Sequence, residues 1–187
     1  MNSRLKLGAR SAVPLGMRRD LSPAELFDRE YPAARKAPHL APVPSYARPL
    51  DVRRAMEVDL SVIRDQRGDL VVAELGKHLP FVARRMYSLV RVPEGEARGG
   101  HAHKELEQLL FVLHGALDLV LDDGVTKQRV RLDDPEKAIY LRPMVWRELE
   151  HFAPGTVCVV LASEVYDESD YLRSYDAYRD ELAALGW

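Results

Sequence analysis

Residues 98–108 read Arg-Gly-Gly-His-Ala-His-Lys-Glu-Leu-Glu-Gln, at the start of a run of β-type sequence. Side chains alternate between the two faces of a strand, so His101 and His103 are predicted to share one face, with Ala102 on the other. Two imidazoles held together can bind a metal, move protons, or do both. The preceding arginine and glycines and the following Lys104 favour a functional site over simple packing, because cations beside the imidazoles suit proton transfer near an anion.

The chain from residue 58 onwards has the pattern of short strands separated by turns. Leu117, Leu119 and Leu121 alternate with more polar positions, and Asp122-Asp123-Gly124 is typical of a hairpin turn. Further strands are predicted at 58–65, 70–75, 81–92, 127–132, 138–142 and 156–163. Many short strands at this spacing indicate an all-β sandwich or barrel.

The last part of the chain changes to a helical period. Tyr171, Tyr175, Tyr178, Leu182 and Leu185 are spaced by three or four residues, as on one face of a helix. Asp167 or Ser169 is a candidate for its N-cap, and Gly186 for its end. We expect this C-terminal helix to pack its tyrosines against the sheet.

Proline and charge set the first 55 residues apart. Residues 1–55 hold 7 of the 12 prolines, and 11 Lys/Arg against 5 Asp/Glu. The proline-rich segment 37–49 is unsuited to a helix or to a central strand. The sequence therefore predicts an irregular basic extension over 1–55, followed by one domain over 56–187.

Composition restricts the partners of this chain. A formal net charge of −2 gives no general attraction to nucleic acid, and no apolar stretch approaches the ~18 residues of a spanning helix. A single cysteine, Cys158, lies in an apolar run and is expected to be buried. With no disulfide framework, a reducing compartment such as the cytoplasm is expected.

The spacing around the histidines resembles the first cupin motif, G-x5-H-x-H-x3–4-E-x6-G. Gly95, His101, His103 and Gly115 fit it, but the register that fits places Gln108 where the carboxylate ligand belongs, and Glu107 fits only with one residue too many before the glycine.

The second cupin motif, P-x-G-x2-H, fits no better. Its nearest match, 143–148, has Val145 for the glycine and Glu148 for the histidine. A mononuclear metal site usually has three or four good ligands. We therefore predict no functional metal, and an acid/base role for the histidine pair.

With these residues in view, the chain resembles the sugar nucleotide 3,4-ketoisomerases of the WxcM-like cupin group. The matching landmarks run in order from about residue 58 to 180: 65–70, 79–81, 85–87, 98–104, 106–108, 121–124, 143–146, 160–163 and 166–171. The resemblance implies an all-β cupin, a small barrel or jelly roll, that forms a homodimer. It also implies transfer of the ketone of a nucleoside-diphosphate-4-keto-6-deoxyhexose from C4 to C3 through an enediol(ate), without metal or cofactor.

The same resemblance suggests roles for individual residues. It makes His103 the base that shuttles the proton between the two carbons, and His101 a relay to the sugar oxygens or an orienting group. The candidates for substrate binding are Arg98, Arg85, Tyr87, Trp146 and Arg147, the last two at the barrel mouth. Guanidinium groups match phosphate oxygens, and a phenol can donate to a ketone.

Other functions stay open at the level of sequence. A 3- and/or 5-epimerase of the same substrate class would also use a β-barrel and a histidine base. The barrel could also bind sugar nucleotides without catalysis, with the basic arm docking on another enzyme. A metal-dependent oxygenase is the weakest alternative. The sequence leaves the product configuration at C4 and the nucleotide base undecided.

Overall fold

The computed structural model describes residues 47–187, which form thirteen strands, one α-helix and a short 3-10 helix. The strands are β1 Ala47–Pro49, β2 Ala55–Asp59, β3 Ser61–Asp65, β4 Gly68–Val72, β5 Arg85–Val90, β6 Arg98–His103, β7 Gln108–His114, β8 Leu117–Asp122, β9 Lys127–Leu132, β10 Lys137–Leu141, β11 Trp146–Glu150, β12 Val157–Ala162 and β13 Tyr171–Leu172. The 3-10 helix spans Glu168–Asp170, and α1 spans Tyr175–Ala184.

Two antiparallel sheets form the barrel. The larger has the order β1-β2-β10-β7-β12-β5, and the smaller has the order β13-β6-β11-β8-β9. The strands β3 and β4 form a separate hairpin. The predicted hairpin after Leu121 is confirmed, because β8 pairs with β9 and Asp123 accepts from the turn amides of Val125 and Thr126. The predicted all-β cupin fold with a C-terminal helix is likewise confirmed.

The inward-facing residues of both sheets form the main core. Its members are apolar and nearly fully buried, among them Leu110, Leu119, Leu121, Ile139, Leu141 and Val160. Truncation of one such leucine to alanine costs about 2–5 kcal/mol. Cys158 belongs to this cluster, as predicted, and burial raises the pKa of its thiol to about 12. The core occupies one part of the barrel interior and leaves the rest to polar side chains.

The C-terminal helix is shorter than predicted. It begins at Tyr175 because the Ser174 side chain accepts from the amide of Ala177, and it ends before Gly186, which has φ +74°. Asp167 does act as a cap, but of the 3-10 helix. Tyr171 was predicted on the helix and instead lies in β13, paired with His103. The prediction was wrong here because helical spacing within a short segment cannot reveal pairing with a distant strand.

The helix packs on the outer face of the smaller sheet. Tyr178 and Leu182 are buried with Trp146, as expected for the tyrosine face. The Tyr178 hydroxyl donates to the carbonyl of Asp122, which anchors the helix to the end of β8. No helix within 47–187 is long and apolar enough to cross a membrane.

The described part of the predicted extension, 47–55, contributes to the barrel. β1 is an edge strand, a position where Pro49 is tolerated since its missing amide faces no partner strand. Val52 and Ala55 are buried in the core. The rest of the predicted extension, 1–46, lies outside the described residues.

Candidate active site

A β-bulge positions the histidine segment. Arg147 pairs with His101 and Glu148 pairs with Gly99, so Gly100 is an extra residue on β6. Gly99 and Gly100 have φ of +86° and +67°, a region that favours glycine. The extra residue shifts the alternation, and Arg98 and His101 therefore line one cavity although they lie three positions apart.

This cavity has a volume of about 470 Å³ and is open to solvent. It brings together four of the predicted site residues: Arg85, Tyr87, Arg98 and His101. It is also lined by Tyr166, Tyr171 and Arg173, which sequence reasoning did not assign to the site. The segment 166–171 was among the landmarks of the resemblance, and that was the available signal.

His103 lies beneath the cavity wall. Its side chain is fully buried, and its ring centroid is 4.3 Å from that of Tyr171 and 4.9 Å from that of His101. His101 and His103 share one face and Ala102 packs on the opposite side, as predicted. The two imidazoles are thus adjacent, but among the described residues only His101 lines the open space.

Asp170 is the main residue that the sequence analysis missed. Its Oδ2 lies 2.8 Å from Nδ1 of His103, and its Oδ1 accepts from the amide of Glu105 at 2.7 Å. Burial opposes the charge on Asp170, but these hydrogen bonds outweigh burial and hold its pKa below the ordinary value. An ionised Asp170 accepts from Nδ1–H and so leaves the lone pair of His103 on Nε2.

Both imidazoles are neutral near neutral pH. Burial lowers the pKa of His101 from 6.5 to about 3, and the charge of Arg147 acts in the same direction. Burial also lowers the pKa of His103, to about 4, although the hydrogen bond to Asp170 acts against it. Within 47–187, neither Nδ1 of His101 nor Nε2 of His103 has a hydrogen-bond partner, although both atoms are buried. Both nitrogens are therefore left without a partner in the described part of the protein.

Arg147 is a fully buried cation in the barrel interior. Its Nη1 donates to the carbonyl of His101 at 3.4 Å, whereas its Nε and Nη2 have no hydrogen-bond partner among the described residues. Burial lowers the pKa of this guanidinium to about 10, so it remains charged at neutral pH. A buried charge without a counter-ion is costly, which is typical of a site that binds an anion.

Trp146 was predicted to lie with Arg147 at the barrel mouth, and the structure separates the two. Consecutive strand residues face opposite sides, so Trp146 points outward and packs on Tyr175 and Tyr178. Its indole donates to Glu148, which follows it on the same outer face. Trp146 therefore supports the helix and does not line the cavity.

The side chains at the positions of the cupin metal ligands contact other residues of the chain. Gln108 is buried and donates from its amide to the Tyr87 hydroxyl at 2.9 Å. Glu107 accepts from Tyr140, and Glu148 lies outside the barrel. In the described part of the chain, no three His, Cys, Asp or Glu side chains are grouped to hold a metal ion.

Comparison with known proteins places this site in a family. The model of the WxcM-like C-terminal family, FdtA, matches residues 54–183. The chain belongs to the WxcM-like cupin group of sugar nucleotide 3,4-ketoisomerases. The match includes the histidine segment, Arg147 and Asp170, and it leaves out most of the basic extension.

Named relatives of this WxcM-like chain share most of their length with it. The TDP-4-oxo-6-deoxy-alpha-D-glucose-3,4-oxoisomerase of Aneurinibacillus thermoaerophilus is 41% identical over 128 residues, 68% of this chain and 92% of the relative. The sugar 3,4-ketoisomerase QdtA of Thermoanaerobacterium thermosaccharolyticum, solved with TDP, is 36% identical with a TM-score of 0.70, covering 73% of this chain and 99% of QdtA. A histidine-to-asparagine variant of QdtA, solved with TDP-4-keto-6-deoxyglucose, is 37% identical with a TM-score of 0.67, covering 69% and 94%.

Proposed function

We propose that this WxcM-like protein is a 3,4-ketoisomerase that moves the ketone of a TDP-4-keto-6-deoxyhexose from C4 to C3. The observation that carries the proposal is the Asp170–His103 pair beside His101, at a cavity lined by arginines. The matched oxoisomerase is named for this reaction, and the QdtA variant was solved with such a substrate.

The reaction needs one base and a stabilised oxyanion. The C4 ketone acidifies the proton on C3, and a neutral imidazole removes it to give an enediolate. The electron pair of the broken C3–H bond ends in the new C4–H bond, so C4 is reduced and C3 is oxidised. The C3 hydroxyl loses its proton as the C3 ketone forms, and the C4 oxygen gains one. The two changes balance within the sugar, so the proposed chemistry requires no external oxidant or reductant.

His103 is the proposed base because its tautomer is set by Asp170. With Nδ1–H donating to that carboxylate, Nε2 holds the lone pair that accepts a proton from carbon. The rings of Tyr171 and His101 lie against His103, so the sugar has to displace one of them to reach Nε2. His101 lines the cavity and is the proposed relay to the sugar oxygens.

Arginines supply the complementary charge. Among the described residues, Arg85, Arg98 and Arg147 form no ion pair with a carboxylate, whereas Arg173 is paired with Glu168. Arg85 and Arg98 line the cavity and are the proposed partners of the diphosphate, since guanidinium forks match phosphate oxygens. Arg147 lies deeper, beside the histidines, and is the proposed stabiliser of the enediolate.

The proposal is tested with the purified full-length protein and TDP-4-keto-6-deoxyglucose in deuterated buffer. NMR should show a 3-keto isomer with deuterium at C4, and deuterium at C3 of the recovered 4-keto substrate, at the same rate with and without EDTA. Deuterium at C5 would instead identify an epimerase. Tight binding of TDP with no exchange at any sugar carbon would identify a non-catalytic module, and a rate abolished by EDTA would indicate a metal enzyme.

We further propose that the enzyme is a cytoplasmic homodimer. Large apolar side chains are exposed on the β3–β4 hairpin and on the larger sheet, namely Ile63, Leu70, Met86 and Leu113. Exposed apolar side chains of this kind are often buried in the interface between two subunits. Light scattering of the purified protein should give twice the mass of the chain. The single buried cysteine is compatible with a reducing compartment.

A further inference from the structure

A second cavity, of about 250 Å³, is lined by Arg53, Arg54, Asp123, Met144 and Trp187. It shares no lining residue with the cavity at the histidines among the described residues. Arg53 and Trp187 also fall outside the family match, which covers 54–183. The other three lining residues, Arg54, Asp123 and Met144, lie within the match, so the family match covers only part of this cavity.

Arg54 is held in an unusual conformation at the cavity wall. Its φ is +70°, a region that non-glycine residues adopt rarely and at a cost in free energy. Its guanidinium lies over the indole of Trp187, with the Cζ atom 4.1 Å from the ring centroid. Stacking orients the guanidinium plane but provides no hydrogen-bond acceptor. Nε of Arg54 is buried and has no hydrogen-bond partner within 47–187.

Among the described residues, Asp123 is the one carboxylate side chain that lines the cavity, and it already has hydrogen-bond partners. Oδ2 of Asp123 accepts from the amide and from Nε of Arg53, at 2.8 and 3.1 Å. Its Oδ1 accepts from the amides of Val125 and Thr126 in the hairpin turn. Asp123 thus balances the charge of Arg53 and stabilises the turn, and it is not available to Arg54.

The charge on Arg54 consequently has no counter-ion among the described residues. Burial lowers the pKa of its guanidinium, and the positive charge of Arg142 acts in the same direction. Two arginines and one aspartate among the lining side chains give the cavity a net positive charge, and Trp187 gives it an aromatic wall. The planar guanidinium of Arg54 carries several N–H donors side by side. In a partly buried cavity with positive charge, such a group suits the oxygens of a phosphate group.

We propose that this cavity is a second anion site, which binds the phosphate group of a small molecule through Arg54 and Arg53. Its volume of about 250 Å³ is below that of most pockets for drug-sized ligands, so it suits inorganic phosphate, pyrophosphate or the phosphate end of an ester. The site is independent of the proposed ketoisomerase activity, because no residue of the histidine cavity takes part.

The test follows the indole N–H signal of Trp187 by NMR in the full-length protein. The chain has two tryptophans, and the signal is assigned by its loss in Trp187→Phe. Addition of inorganic pyrophosphate should shift it with saturation at about 1 mM or below, and Arg54→Gln should weaken binding at least about 10-fold. Glucose 1-phosphate, titrated separately, tells whether an ester is accepted as well as the free anion, and binding of either supports the site.

The test uses one control variant and one replacement variant. Arg131→Gln removes an exposed arginine of β9 that pairs with Asp118, and it should leave the titration unchanged. If Arg54→Gln does not fold, calorimetry of Trp187→Leu with pyrophosphate replaces it, and one binding event should be lost relative to the wild type. An indole signal that does not move with either probe, or that saturates equally in Arg54→Gln, would overturn the proposal. An unchanged calorimetric titration of Trp187→Leu would do the same.

Discussion

Oδ2 of Asp170 lies 2.8 Å from Nδ1 of His103, and the two residues are separated by 67 positions in the chain. The contact joins the 3-10 helix before β13 to the end of β6. It gives the buried imidazole a fixed tautomer and an ionised neighbour, both of which a histidine base requires.

Asp170→Asn should remove the orientation of His103 while keeping its size. The amide can still accept from Glu105 through its oxygen, but its NH₂ group then faces Nδ1 and favours the tautomer with the proton on Nε2. We expect kcat to fall on the order of 100-fold or more, with little change in KM. Steady-state kinetics provide the measurement, and the exposed helix residue Asp176, changed to Asn, is the control. A kcat within a factor of two of the wild type would remove Asp170 from the mechanism.

Substitution of His103 and substitution of His101 should have different effects on exchange and turnover. His103→Asn is expected to abolish deuterium exchange at C3, because no base reaches that proton. His101→Asn should lower turnover but retain measurable exchange, since His101 is the proposed relay to the sugar oxygens. NMR of the substrate in deuterated buffer separates the two, with the exposed His114 changed to Asn as control. Exchange that persists in His103→Asn and disappears in His101→Asn would reverse the two roles.

The depressed histidine pKa values predict the pH dependence. The pKa of His103 is lowered from 6.5 to about 4, so between these values the unfolded chain binds more protons than the folded protein. Stability should therefore fall as pH decreases from about 6.5, with the penalty complete near pH 4 and of the order of 3 kcal/mol for this residue. Because neutral His103 is the proposed base, kcat/KM should also decline only near pH 4.

Denaturant unfolding of the wild type and of His103→Asn across this pH range checks the direction in which stability changes with pH. The variant should lose less stability on acidification, whereas His114→Asn should match the wild type. If the wild type instead gained stability relative to His103→Asn as pH falls from 6.5 towards 4, the pKa of His103 would be raised in the folded protein.

Arg147→Met should increase stability and reduce activity together. Methionine fills a similar volume without a buried charge, so the free energy of unfolding should rise by about 1–4 kcal/mol in the absence of substrate. Loss of the cation beside the enediolate should lower kcat/KM on the order of 100-fold. Thermal unfolding and kinetics measure both, with the exposed Arg129→Met as control. A destabilised Arg147→Met would mean that the guanidinium is satisfied in the folded protein.

Gly99 and Gly100 form a matched pair for testing the bulge. A Cβ at Gly99 would lie 2.6 Å from the carbonyl oxygen of Arg147, whereas a Cβ at Gly100 would meet nothing within 4 Å. Both have positive φ, so each alanine carries a cost of about 1–3 kcal/mol for backbone strain. Gly99→Ala should be the more destabilising of the two and should lose activity as β6 shifts from β11. Equal effects in chemical denaturation and kinetics would show that close packing at Gly99 is unimportant.

Local patterns in the sequence were sufficient to predict many strands of the barrel. The alternating leucines of β8 and the turn at 122–124 specify a hairpin, because side-chain alternation and turn chemistry act between neighbours. β11 was not predicted, since Arg147 occupies an inward position that is normally apolar and disrupts the alternating pattern. Trp146 was placed on the wrong side for a related reason: without the pairing of β11, its face cannot be assigned.

The sequence by itself determined that two histidines share a face, that Arg98 and Lys104 flank them, and that the cupin metal ligands are absent at Gln108 and Glu148. These are properties of spacing and residue type. Only the tertiary structure decided that Asp170 and Tyr171 join the site, that Arg147 is buried with no counter-ion within 47–187, and that both imidazoles stay neutral. Strand pairing over long separations and exclusion of water set these features, and both depend on the folded barrel.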